Sequence, residues 1–202
     1  MATTLSNKVL SEVIFPSEGR ALMVKRVVLV ALGIAALAIA AKIRVPFWPV
    51  PITMQTFAVL TIGAAYGLRL GVVTVLGYLL VGALGFDVFT SSTAEDYGLA
   101  YMAGPTGGYL VGFALAAGML GWLARLGWDR SIAKMAGAML IGNVIIYAAG
   151  LAWLGYLFAA SKGWAWVVEN GLLPFLAGDA LKLALAALIF PLAWRAVGEA
   201  RT

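Results

Sequence analysis

Six stretches of this chain are apolar over about the length a bilayer demands, and no other feature constrains the fold as much. A helix rises 1.5 Å per residue and needs about 20 mostly apolar residues to cross the hydrocarbon core. The stretches run 23–43, 52–66, 70–86, 105–126, 135–160 and 172–197. In lipid every backbone polar group must be satisfied within the protein, so such stretches are helical. With 63% hydrophobic residues in 202, the chain has more apolar surface than a soluble core of this size can hide. The sequence therefore predicts an all-α integral membrane protein with six transmembrane helices.

Orientation follows from Lys and Arg. With the N-terminus inside, ten of these residues fall on one side, among them Lys25, Arg26, Arg69, Arg125 and Arg195. Only Lys42, Arg44 and Lys162 fall on the other, and Lys182 lies within a span. The positive-inside rule puts both termini in the cytoplasm. The polar stretch Asp87 to Ala103 has three acids and no base, which agrees with an outer placement. Residues 1–22 lack a signal-peptide core and read as a cytoplasmic extension, leaving 23–202 as the membrane domain.

Composition also excludes chemistry. The chain has no cysteine and no histidine, so thiolate and imidazole ligands are absent, as are Cys- and His-based catalysis. No metal site and no cofactor are expected. The net charge of +5 sits in loops between apolar spans, which argues against nucleic-acid binding. Gly104-Pro105-Thr106-Gly107-Gly108-Tyr109 opens the fourth stretch, but no Gly-Lys-Ser/Thr follows, so it is no P-loop.

The sixth stretch holds the pair that asks most for an explanation. Asp179 and Lys182 are three residues apart and share a helical face. A charge costs about 3 kcal/mol or more at the membrane centre, so such residues usually face a cavity and serve a function. The bland alternatives are an ion pair that fixes helix packing, or a pair snorkelling at the edge of the lipid. Other polar groups lie within spans. Gln55 opens the second, and Asn143 and Tyr147 lie four apart on the fifth, where an interhelical hydrogen-bond pair is the plain alternative. The first stretch is rich in alanine, including Ala36 and Ala40. Small residues four apart permit close approach, either by the chain's own helices or by another membrane protein.

Between the first two stretches lie Pro46, Pro49 and Pro51, which cannot be helix interior and predict a stiff connector. Pro105 suits a helix start. The segment 87–103 predicts a lid or binding loop. Trp164 and Trp166 predict an interfacial belt within a loop at 161–171.

With these residues in place, the sequence resembles the biotin-specific S component of energy-coupling-factor vitamin transporters, the BioY family. The resemblance rests on Pro49-Val50-Pro51-Ile52-Thr53-Met54-Gln55-Thr56-Phe57, on Gly104 to Leu110, on Gly142-Asn143-Val144-Ile145-Ile146-Tyr147, and on Pro174-Phe175 followed by Gly178-Asp179-Ala180-Leu181-Lys182. It covers nearly the whole chain after the extension. It implies a biotin site near the outer face of a prokaryotic cytoplasmic membrane. It also implies partners: a membrane coupling subunit contacted by the alanine-rich first helix, through Ala36 and Ala40, and two cytoplasmic ATPases. The chain departs from the family in Thr90-Ser91-Ser92-Thr93-Ala94-Glu95-Asp96-Tyr97, where a glycine-rich run is common.

The chemistry of biotin suits these residues. Asp179 and Asn143 can meet its ureido ring, and Lys182 can supply charge or hold Asp179 ionised. Gln55, Tyr101, Thr106, Gly108, Tyr109 and Tyr147 complete the expected substrate contacts. Two other functions compete. A membrane enzyme using Asp179 and Lys182 lacks a nucleophile motif. A solitary or proton-coupled carrier of small solutes would be expected to show an inverted repeat, and none is visible.

Overall fold

The computed structural model describes residues 7–14, 16–91 and 97–199. A short helix, α1 (Leu10–Ile14), precedes α2 (Gly19–Lys42). Two-residue strands β1 (Arg44–Val45) and β2 (Ile52–Thr53) pair antiparallel. Then follow α3 (Gln55–Ala83), α4 (Gly98–Ala103), α5 (Gly107–Arg125), a 3-10 turn (Trp128–Arg130), α6 (Ile132–Gly171) and α7 (Leu173–Glu199). The structure is mostly helical. Among the described residues, four helical stretches are long and apolar enough to cross a membrane.

Two of those stretches are folded back on themselves at glycine. Gly67 has φ 80°, a value favoured by glycine because it lacks a Cβ, and it splits α3 into limbs 55–66 and 68–83. The limbs are antiparallel: Gln55 reaches Tyr78, and Gly63 faces Gly71. Gly163, with φ 81°, breaks α6 in the same way. Residues 164–171 fold back along the end of α6, where Trp164 packs on Gly155. The expected loop at 161–171 is thus helical, because the reversal needs one glycine rather than a loop. Pairing of Tyr147 with Asp179 and of Trp194 with Asp129 makes α7 antiparallel to the first limb of α6.

Glycine also brings helices together. A Cβ at Gly63 would lie 2.5 Å from the Ala117 carbonyl oxygen, so α3 and α5 touch backbone to backbone. Gly112 faces Ile146 across the α5–α6 seam. Close glycine contacts replace the hydrophobic effect, which gives little attraction between helices in lipid.

The helix limits refine the apolar stretches. The first helix starts at Gly19 rather than residue 23, and Pro105 lies in the turn before α5 rather than in its first helical turn. The prolyl connector carries the small hairpin β1–β2, which the proline count did not predict. The limb 55–66 has 12 residues and spans roughly 18 Å, short of the roughly 30 Å core. The connector leads into this short limb. Non-helical backbone is tolerated at membrane depth when it lines a cavity, and this one does.

Residues 7–14 form a strap across the Gly67 end of the bundle. Glu12 pairs with Arg125 at 2.6 Å, and Arg125 also donates to the Asn7 carbonyl at 3.0 Å. Val9, fully buried, packs beside Gly67. The N-terminal extension is therefore docked between residues 7 and 14.

Candidate functional site

At the opposite end lies a cavity with about 530 Å³ of atom-free space, mouth included. Its walls come from every part of the bundle that the short limb leaves open. The connector gives Val50, Pro51 and Thr53; the start of α3 gives Gln55 and Thr56; the following loop gives Phe89 and Thr90. Tyr101 and Thr106 come from α4 and the turn before α5, Tyr109 and Phe113 from α5, Tyr147 from α6, and Phe175 and Lys182 from α7.

One corner is polar and charged. Lys182 uses its ammonium three ways: to the Thr53 carbonyl at 2.7 Å, to Thr56 Oγ1 at 2.9 Å and to Asp179 Oδ1 at 2.8 Å. Thr56 donates to Asp179 Oδ1 at 3.1 Å, and Tyr147 donates its hydroxyl to Asp179 Oδ2. Both charged residues are buried, at 4% and 7% exposure. The pair is thus an internal ion pair held by three helices and the connector, not a snorkelling pair. Charge-assisted hydrogen bonds of this kind are roughly twice as strong as neutral ones.

The remainder is aromatic. Phe89 and Tyr101 stack with centroids 4.8 Å apart and planes 12° from parallel. Tyr109 meets Tyr147 edge to face at 6.5 Å, and Phe175 leans on both. Tyr109 is fixed by donating to the Gly171 carbonyl at 2.7 Å. Thr106 Oγ1 is buried with no partner among the described residues, and Thr106 lines the cavity. A buried unpartnered hydroxyl costs free energy unless something bonds it.

Six of the nine expected substrate residues line this cavity: Gln55, Tyr101, Thr106, Tyr109, Tyr147 and Lys182. Asp179 is not in the cavity lining and stands behind Lys182, Thr56 and Tyr147, each of which bonds it. Asn143 departs further. It lines an apolar groove on the outer side of the α6–α7 seam, with Tyr147 and Asp179 between that groove and the cavity. Helical spacing put Asn143 on the face of Tyr147 but could not say which side of that ring it would occupy. Gly108 is a packing glycine: its Cβ would lie 2.5 Å from the Ala149 carbonyl oxygen. Ala40 is 7% exposed and packed inside its own chain, whereas Ala36 is exposed on α2. A partner can reach Ala36 and not Ala40.

Sequence reasoning missed Thr56, Tyr78, Thr90, Phe113 and Phe175. Thr56 and Phe175 lay inside motifs already singled out. Thr90 lay in the segment read as a lid or binding loop, whereas Tyr78 gave no signal, because its role is to hold Gln55. Of the stretch Thr90 to Tyr97, where the chain departs from the family in sequence, residues 92–96 lie outside the described residues.

A family model described as the BioY family matches residues 8–199. A probable biotin transporter BioY of Pyrococcus horikoshii is 38% identical over 165 residues, covering 82% of this chain and 93% of that protein. The biotin transporter BioY of Thermotoga maritima is 36% identical over 156 residues, covering 77% and 87%. The crystal structure of an S-component for biotin from an ECF-type ABC transporter superposes with a TM-score of 0.73, covering 89% of this chain and 95% of that one. Its identity is 24%, so it shows a shared fold.

Proposed function

The chain belongs to the BioY family, and on that premise we propose that it is the biotin-binding membrane subunit of an energy-coupling-factor uptake transporter. The observation that carries this is the cavity itself. It combines one polar, cationic corner with aromatic walls and an unsatisfied Thr106 hydroxyl. Biotin has the matching parts: a ureido ring with donors and an acceptor, an apolar thioether ring and tail, and a carboxylate. The ureido ring sits at Lys182, Thr56 and Gln55, with Asp179 acting as a positioning group. The thioether ring lies among Tyr109, Tyr147 and Phe175. A site with placed polar partners rejects analogues that lack them.

We further propose six spans, 19–42, 55–66, 68–83, 107–125, 132–162 and 173–199, with both termini cytoplasmic. The charge asymmetry and the alternating helix directions support this. The cavity then opens outward in the cytoplasmic membrane of a prokaryote. The chain carries no nucleotide motif, so energy comes from partners: a membrane coupling subunit and two ATPases. The exposed Ala31, Ala35 and Ala36 on α2 are the surface offered to that coupling subunit.

The direct test is mass spectrometry of small molecules released from the purified protein. Biotin released intact, with no product on incubation, is the expected result. A different solute, or conversion of biotin, would overturn the assignment. The native chain has no cysteine, so Tyr97→Cys, at an exposed position, reports topology cleanly. It should react with an impermeant thiol reagent from outside only.

A further inference from the structure

At the Gly67 end, far from the biotin cavity, a second cavity has about 1410 Å³ of atom-free space, mouth included. We propose that it binds the phosphate of one anionic glycerophospholipid. Four cations line it from separate elements: Lys25 and Arg26 on α2, Arg69 just after the Gly67 reversal, and Arg125 at the end of α5. Among the described residues the only acid in its lining is Glu12, and Glu12 is taken up by Arg125 at 2.6 Å. Lys25 donates to the Ser11 carbonyl at 3.0 Å, so the N-terminal strap forms one wall. Arg26 and Arg69 are exposed and have no ion-pair partner among the described residues. The charge of these two arginines is therefore available to an anionic ligand.

The occupant follows from what adjoins the cations. Leu68, Val73 and Trp122 line the same cavity and are 41%, 53% and 50% exposed. Leu68 and Trp122 also line an apolar groove that continues along the bundle past Val72, Leu115, Met119 and Ile145. A phosphate pocket that runs into a groove with almost no polar lining fits a headgroup joined to an acyl chain. Basic pockets between helices at the cytoplasmic side are a recognised form of anionic-lipid site. A free phosphate or an acidic peptide would leave the groove unexplained. The topology proposed above places this lipid in the cytoplasmic leaflet; the binding site itself does not depend on that topology.

The test is native mass spectrometry of the full chain after detergent extraction from mixed phosphatidylglycerol and phosphatidylcholine vesicles. The unaltered protein should retain one phosphatidylglycerol in preference to phosphatidylcholine. Arg26→Gln/Arg69→Gln should lower that occupancy at least severalfold, and Arg69→Gln alone should do so partly. Arg20→Gln/Arg195→Gln removes the same charge elsewhere and should retain the lipid. Biotin binding in the same samples reports that each variant is folded. Equal retention by both double variants would mean general surface charge and overturn the proposal. So would equal retention of the two lipids, or displacement of the lipid by inorganic phosphate, which would point to a free-phosphate site.

Discussion

Thr90 donates a 2.9 Å hydrogen bond to Gln55 Oε1 across 35 residues of sequence. Gln55 in turn donates to the Tyr78 hydroxyl at 2.8 Å, and Tyr78 donates to the Val88 carbonyl at 3.0 Å. The amide of Gln55 thus ties the loop after α3 to both limbs of that helix. Arg44 donates to the Thr90 carbonyl, and Lys42 pairs with Asp87 at 2.6 Å. The loop is fastened over the cavity from two sides.

Thr90→Val keeps the shape and removes the bond to Gln55. A net hydrogen bond contributes about 0.5–1.5 kcal/mol. Biotin affinity should fall by roughly twofold to twelvefold, mostly through faster release. Calorimetry combined with release kinetics checks this. An unchanged release rate would separate the loop from ligand retention.

Asp179 and Lys182 have a structural and a binding role that a double variant can pull apart. Lys182→Met alone strands a buried carboxylate, and breaking a buried pair costs about 3–5 kcal/mol. Its ligand-free melting temperature should drop sharply, and biotin binding should be lost. Replacing both, as Asp179→Asn/Lys182→Met, removes the stranded charge and should restore much of the stability. Binding should stay lost, because Lys182 faces the cavity. If the stabilised double variant binds biotin normally, the pair is scaffold only.

Much of this was legible in the sequence, and the rest was hidden for a physical reason. Hydropathy marked the apolar stretches that the long helices occupy, and the positive φ at Gly67 falls in the gap between the stretches 52–66 and 70–86. The charged pair was conspicuous because charge is expensive in lipid. What stayed hidden depended on rotation about a helix axis. Asn143 and Tyr147 share a face by spacing and both line the groove on the α6–α7 seam, yet only the longer Tyr147 also lines the cavity. Ala36 and Ala40 are likewise four apart, yet Ala40 is buried and Ala36 is exposed. The β1–β2 hairpin was masked by prolines that read simply as rigid chain.

Gly63 makes the α3–α5 contact testable without touching the ligand. Its missing Cβ would meet the Ala117 carbonyl oxygen at 2.5 Å and Cα at 2.8 Å, both backbone atoms that cannot rotate away. Overpacking a tight contact costs about 1–3 kcal/mol. Gly63→Ala should lower the melting temperature measurably in detergent, whereas Gly178→Ala, where a Cβ meets nothing within 4 Å, should not. Equal behaviour would mean the two helices separate in solution.

Asp129 carries a pH dependence whose sign is fixed by its surroundings. It lies in the 3-10 turn between α5 and α6 and is 1% exposed. Burial pushes its carboxyl from 3.8 up to about 6, although the hydrogen bond from Trp194 and the neighbouring Arg130 pull it down. Trp194 Nε1 donates to Oδ2 at 2.7 Å, and Arg130 lies 4.3 Å from the Trp194 ring centroid. Oδ1 is buried without a partner among the described residues. A carboxyl raised in the folded state holds its proton more tightly folded than unfolded. Its contribution to stability is therefore full below about pH 4 and is lost as pH rises through about 6. The shift is roughly 2 units, and at 1.36 kcal/mol per unit the loss is roughly 3 kcal/mol. Asp129→Asn keeps an acceptor for Trp194 and never ionises. It should melt higher than the unaltered protein near pH 7, and the difference should shrink as pH falls toward about 4. Melting curves of both proteins across that range decide it; parallel curves would mean that the Asp129 carboxyl titrates alike in the folded and unfolded protein.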